Sequence, residues 1–286
     1  MASAHDVYAP GHLGELTQVI DPKLVDAVLE ETGSRERRVR LLPARVVVYF
    51  VLALAFFERS SHRAVWDKLG AGLHGIAVAR PCASSLSRAR RRLGSAPLRR
   101  LFEILAGPVA GRAQSGAFYR GLRVVAVEGT TLSVPDEEAV TWHFPRHIGS
   151  VKEFGYPLLR LVTLVECGTR ALLGAAFGPD TTGELGYARR LLDRLDASMV
   201  LLADAYYDAF DFLQTVTGTG ASFLLRSTRK RRPTVRRLLP DGSYLTTISA
   251  GKYRAGRGYG RLEVRIIEAR MTVTLADGTR RSELWR

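Results

Sequence analysis

The sequence predicts an α/β protein, with a helical N-terminal domain over residues 1–112 and a mixed α/β domain over residues 113–286. Three observations predict it. Apolar residues recur at helical spacing up to Gly111, short β-branched runs replace them afterwards, and those runs then alternate with helical segments. A chain of 286 residues that is 46% hydrophobic can bury a sizeable core, and two domains suit a typical size of about 100 to 200 residues each.

Asp21-Pro22 opens the first helix (DPKLVDAVLEETG), with Asp as cap, Pro at the first helical position and Gly33 as the stop. A second helix runs from about Pro43 to Phe57 and a third from about Ser61 to Leu69. Ser84 or Ser85 caps a fourth, SSLSRARRRLG, and Pro97 opens a fifth, PLRRLFEILAG. In the second half, Val124 to Val134 reads as a strand with a turn at Glu128-Gly129, or as two short strands around it. Strands follow at Leu158 to Glu166 and Ala171 to Phe177, then a helix from Thr182 to Asp196. A buried strand, Met199 to Ala203, ends at Asp204, and a further helix (DAFDFLQTVTGTG) and strand (ASFLLRS) complete the series. From Arg229 a basic run, a Pro-Asp-Gly-Ser turn and segments at Leu262 to Ile267 and Met271 to Leu275 read as a β-rich insertion.

Strand, strand, strand, helix, strand, helix, strand is the order of a ribonuclease H-like sheet. In that order the first and fourth strands lie side by side, so Glu128 and Asp204, 76 positions apart, meet at one edge of the sheet. Two such carboxylates are hard oxygen ligands for Mg²⁺ or Mn²⁺, the ions that assist phosphodiester displacement. Taken singly, each has a plainer reading: Asp204 as an Asx turn, Glu128 as a solvent-facing acid before a glycine turn.

The formal net charge is +14 with a pI near 10.3, and 37 of the 42 basic residues are arginine, which favours a polyanionic partner such as nucleic acid. A compositional bias toward arginine is the bland alternative. Cys82 and Cys167 lack metal-site or disulfide spacing and suit a reducing cytoplasm. The most apolar stretch, Val46 to Phe57, has 12 residues without a charge, short of the roughly 18 to 20 that span a bilayer. No membrane role is expected, and the N-terminus has no leader pattern.

Several segments in order resemble the DDE transposases of the insertion-sequence-four group. RRVRLLPARVVVYFVLALAFF, HRAVWDKL and SRARRRLGSAPLRRLFE are similar to that family's N-terminal domain. EGTTLSVPD, YPLLRLVTLVECGTRALLGAAFGP, TTGELGYARRLL, LLADAYYDAFDF, TGTGASFLLRS and LPDGSYL are similar to its catalytic domain. The resemblance implies a bacterial, nucleoid-associated transposase that binds the terminal inverted repeats of double-stranded DNA, cleaves them with metal assistance and joins the 3′ hydroxyl to target DNA. It leaves a homodimer on the DNA open. The family's first acid falls at Glu128 and its second at Asp204.

The chain departs from the family at both ends of the acid set. The family has Asp-Gly-Thr-Thr where this chain has Glu128-Gly129-Thr130-Thr131. The family's third acid stands in a Tyr-x2-Arg-x3-Glu-x6-Lys signature, a spacing that does not occur before Arg286. The resemblance therefore implies a C-terminally truncated chain with weak or absent cleavage. Glu184 is a substitute candidate, since it opens the helix after the third strand; a capping box with Thr181 is its plainer role.

For DNA contact, Arg88, Arg91 and Arg92 share one helix face, with Arg99 following. Arg226 to Arg237 holds seven basic residues in twelve, among them Arg229, Arg231 and Arg232, read as a loop beside the active site. Trp142 reads as a core or lid aromatic. A non-catalytic DNA binder that occupies inverted repeats, or a relic, are the competing functions.

Overall fold

The computed structural model describes residues 13–38, 40–71, 79–148, 153–228, 231–250 and 260–286. They divide into two units, one ending at Leu105 and the other beginning at Ala106.

The first unit is helical: α1 (Leu13–Val19), α2 (Pro22–Glu31), α3 (Ala44–Phe56), α4 (His62–Gly70), α5 (Ala83–Leu93) and α6 (Ala96–Leu105). The apolar α3 supplies its centre, where Val47, Val48, Phe50 and Ala53 pack in one cluster with Val25, Leu29, Val65, Trp66, Leu86 and Leu93. The Asp21 carboxylate accepts from the Lys23 N–H at 2.8 Å, as the capping pattern predicts, and the Ser61 hydroxyl, just before α4, accepts from the Ala64 N–H at 3.2 Å. The α5 cap differs. Cys82 holds it, because Ser84 and Ser85 already lie in the first turn with hydroxyls 3.2 Å from the Cys82 sulfur. Those hydroxyls lower the thiol to about 6. The α1 helix escaped the sequence reading because it buries a single residue, Leu16, and so leaves no periodic stripe.

The second unit is built on one sheet. Its elements are β1 (Phe118–Tyr119), β2 (Leu122–Ser133), α7 (Glu138–Thr141), β3 (His147–Ile148), β4 (Glu153–Phe154), β5 (Leu158–Glu166), β6 (Leu172–Pro179), α8 (Glu184–Ala188), β7 (Met199–Ala203), α9 (Phe210–Gly218) and β8 (Ser222–Leu225). The main path runs β6-β5-β2-β7-β8, with β1 also on β2. The β5 and β6 strands are antiparallel to their neighbours, while β2, β7 and β8 run parallel. This is the ribonuclease H-like arrangement the element order predicts. Val125, Val127, Val162, Leu164 and Leu201 bury one face under Tyr187, Leu191, Phe212 and Val216. Residues 106–112 side with this unit: the Gly107 N–H donates to Leu172 and the Ala110 N–H to Glu166.

Two local expectations are corrected. No turn interrupts β2 at Glu128-Gly129, because β5 pairs with it in unbroken register from Val125↔Glu166 to Ser133↔Leu158 and carries the ladder straight through. The helix expected over 182–196 is α8 continued by a 3-10 segment, Arg189–Arg194. Beyond β8, the expected β insertion comprises a three-stranded sheet, β9 (Arg237–Leu238), β10 (Tyr244–Ser249) and β11 (Arg261–Ile266), and a hairpin, β12 (Ala269–Thr274) with β13 (Arg280–Trp285). Among the described residues no helix is long and apolar enough to cross a membrane.

Glu166, at the end of β5, is fully buried. It accepts from the Arg123 guanidinium, the Thr169 hydroxyl and, at 2.9 Å, the Ala110 N–H. Burial alone would raise its pKa, yet these donors outweigh burial and hold the carboxyl below its usual range. A depressed folded pKa means the stabilisation is present above the ordinary glutamate value of about 4.3 and is lost as pH falls through the lower folded value. Glu166→Gln is expected to cost about 3 to 5 kcal/mol at pH 7, since it strands the Arg123 charge. Urea unfolding across a pH series checks this, with the gap to wild type narrowing on the acid side.

Candidate active site

The parallel register of β2 with β7 positions the two acids. Val125 pairs with Leu201 and Ala126 with Leu202, so continuing by two residues brings Glu128 level with Asp204. Residues level on adjacent strands point to the same face, and neighbouring strands lie about 4.8 Å apart. The meeting point is the carboxyl end of the central parallel pair. It is inside the sheet, because β8 and β6 form the lateral edges.

The Glu128 side chain is exposed and makes no hydrogen bond among the described residues. Asp204 is exposed too; its Oδ1 accepts from the Tyr206 N–H at 2.8 Å, the Asx turn that its strand-end position suggests, and caps the 3-10 turn Ala205–Tyr207. Hard carboxylate oxygens, both of Glu128 and one of Asp204 left open, suit a divalent cation. This face provides two carboxylates among the described residues. Among the described residues no cluster of three or more His, Cys, Asp or Glu side chains could hold a metal ion.

Glu184 approaches from the other side of β2. The capping box with Thr181 does not form; Gly183 caps α8 without a side-chain bond, which leaves Glu184 free to reach inward. Its carboxyl lies directly on Gly129, where a Cβ would fall 2.3 Å from the Glu184 Cδ. The Tyr207 hydroxyl donates to its Oε1 at 2.6 Å, and Arg160 Nη1 stands 3.6 Å from its Oε2. The Arg160 Nε is buried without a hydrogen-bond partner among the described residues. Burial raises the Tyr207 pKa first; the bond to Glu184 and the charges of Glu184, Glu128 and Asp204 raise it further, so the phenol stays protonated and donates.

Of the basic candidates, Arg88 and Arg91 project from α5 opposite its buried stripe of Leu86, Ala89 and Leu93, and Arg99 is likewise exposed. Arg92 turns back to its own unit, donating to Glu36 at 3.3 Å and to the Leu42 carbonyl at 2.8 Å. Arg231 is also engaged. Buried Asp208 accepts from its Nε at 2.8 Å, from the Thr228 N–H at 2.9 Å and from the Ser227 hydroxyl at 3.1 Å. Arg232 is exposed, and Arg229 lies outside the described residues. Trp142 is 81% exposed and is no core residue. Sequence reasoning missed Tyr207, Arg160 and Asp208; the aromatic pair and second acid of DAYYD were the available signal for the first and last.

A ribonuclease H-like sheet with two carboxylates level where β2 passes the end of the parallel strand β7 defines a nucleic-acid-processing domain, here preceded by a basic helical unit. The chain belongs to the DDE transposases: the family described as "Transposase DDE domain" matches residues 119–272, and "Insertion element 4 transposase N-terminal" matches residues 10–103. It is similar to the Escherichia coli (strain K12) "Transposase InsG for insertion sequence element IS4", 28% identical over 198 residues, covering 68% of this chain and 44% of that protein. It is also similar to InsZ of the same organism, 26% identical over 140 residues, covering 49% of this chain and 47% of InsZ. The chain thus spans less than half the length of each of these relatives.

Gly129→Ala is expected to push the Glu184 carboxyl away and leave the Tyr207 hydroxyl without its acceptor, a loss of about 1 to 3 kcal/mol. In a Glu184→Ala background the same substitution is expected to cost little, a coupling that a double-mutant cycle by thermal unfolding reads directly.

Proposed function

We propose that this chain is a DNA transposase that binds the terminal inverted repeats of an insertion element and catalyses metal-dependent strand cleavage and transfer. Glu128 and Asp204 hold Mg²⁺ or Mn²⁺ in this reading. The observation that carries it is the β2–β7 register, which extended by two residues sets Glu128, midway along β2, level with Asp204 just past the end of β7, in a chain that matches both the N-terminal and the DDE domain descriptions of one transposase family in order. A divalent ion bound there supplies charge stabilisation for in-line phosphodiester displacement. The chain's own contribution is to hold the two carboxylates at fixed spacing, on a rigid ladder, where a phosphate can approach from solvent.

The helical unit supplies DNA contact through Arg88 and Arg91, joined by Arg99, with Arg232 a further contact beside the sheet. Contacts of this kind go to phosphate; they position the duplex and leave base reading to other groups. Arg92 and Arg231 act as struts, given their intramolecular partners.

A supercoiled plasmid carrying the element ends is expected to be nicked only when Mg²⁺ or Mn²⁺ is present, with nicking removed by Asp204→Ala while DNA binding persists. Nicking that survives both Asp204→Ala and chelation would sink the catalytic reading, and binding with no nicking under any ion would favour a non-catalytic DNA binder. Replacing Arg88 and Arg91 together with Ala is expected to flatten the salt dependence of binding by about 0.9 per lost phosphate contact. Arg92→Ala is expected to leave that slope alone and lower the melting temperature of the helical unit.

A further inference from the structure

We propose that Glu184 is a positioning residue, a strut that ties the strand carrying Glu128 to the turn carrying Asp204. The idea rests on the functional reading above, in which those two acids must keep a fixed separation. Its basis is where the Glu184 carboxyl touches. On one side it lies on Gly129, the residue next to Glu128. On the other its Oε1 accepts from Tyr207, three residues beyond Asp204, at 2.6 Å. One carboxyl therefore contacts the residue next to Glu128 and the turn that follows Asp204.

Each part of the strut is fixed by something else. Tyr207 is 1% exposed and packs against Phe212 with ring centroids 5.3 Å apart, so its hydroxyl has little freedom. Gly183 caps α8 and sets Glu184 at the first helical position. Gly129 lacks the Cβ that would occupy the carboxyl's place. A short O–H···O⁻ bond of this kind is among the stronger hydrogen bonds a protein makes. Catalytic carboxylates tolerate misplacement of only about 0.5 Å, so a direct tether between their flanking residues is worth more here than on an ordinary loop.

A strut and a metal ligand make opposite demands on the side chain. The strut needs an oxygen that accepts from Tyr207, which glutamine retains; a ligand needs the negative charge, which glutamine lacks. Glutamine also gives up the ion pair with Arg160, which stands on β5, outside the 206–209 segment that reports on the strut. A strut also fails when Tyr207 loses its hydroxyl, whereas a ligand with a free carboxylate does not.

The first experiment is hydrogen exchange on the full chain without metal, read at the backbone amides of residues 206–209, which follow Asp204 in the turn. Glu184→Ala and Tyr207→Phe are expected to speed exchange there by about tenfold, the worth of one charge-assisted hydrogen bond, while Glu184→Gln stays within about threefold of wild type. The strut is overturned if Glu184→Gln behaves as Glu184→Ala does, or if neither Glu184→Ala nor Tyr207→Phe changes exchange. The second experiment is a Mn²⁺ titration followed by electron paramagnetic resonance. The same ranking is expected in Mn²⁺ affinity, and a Glu184→Gln loss as deep as that of Asp204→Asn would make Glu184 a ligand and overturn the strut. Wild type that shows no saturable Mn²⁺ binding would instead overturn the metal reading of Glu128 and Asp204, leaving the exchange result to decide on the strut alone.

Discussion

The parallel pairing of β2 with β7 is the constraint on which the second unit depends. Parallel neighbours cannot be joined by a tight turn, so the chain between them must make a crossover. That crossover here contains β5, β6 and α8, and it returns the chain beside the strand from which it started. The register Arg123↔Met199 then fixes everything further along both strands, because a slip of one residue would turn Asp204 to the opposite face from Glu128. The ladder is reinforced at its lower end, where the Arg123 N–H donates to the Ser198 carbonyl at 2.8 Å and the Arg123 side chain enters the buried Glu166 pair.

Much of this was legible in the sequence. The order of strand and helix signals gave the sheet type, and the sheet type alone placed Glu128 near Asp204, since topology converts 76 positions of separation into adjacency. The cap at Asp21 was legible because a cap is a local device whose donor and acceptor lie within three residues of each other. What could not be read were features set by distant partners. Gly129 resembles a turn residue from its neighbours, yet it is small because Glu184, 55 positions later, lies on it. Thr181 and Glu184 have capping-box spacing, yet Tyr207 claims the carboxylate.

The same limit applies to the arginines. Composition announces a cationic surface, but it cannot separate a guanidinium that faces solvent from one that closes an internal contact. On α5, Arg91 and Arg92 are sequence neighbours with opposite fates, because a helix turns about 100° per residue and carries Arg92 around to Glu36 and the Leu42 carbonyl. Arg231 and Arg232 divide in the same manner, with Asp208 taking the first. Net charge therefore overstates the cation count available to a polyanion, and the exposed subset is the physically relevant one.

Asp208 has a wider consequence. It stands four residues beyond Asp204 and gathers donors from Ser227, Thr228 and Arg231. The segment leaving β8 is thereby moored to the same turn that follows the second acid, before the chain enters β9 and β10. Anything beyond the mooring can change in length or composition without its slack reaching Asp204. In mechanical terms the β-rich insertion is hung from a fixed post, so it is free to diversify while the carboxylate beneath it keeps its place.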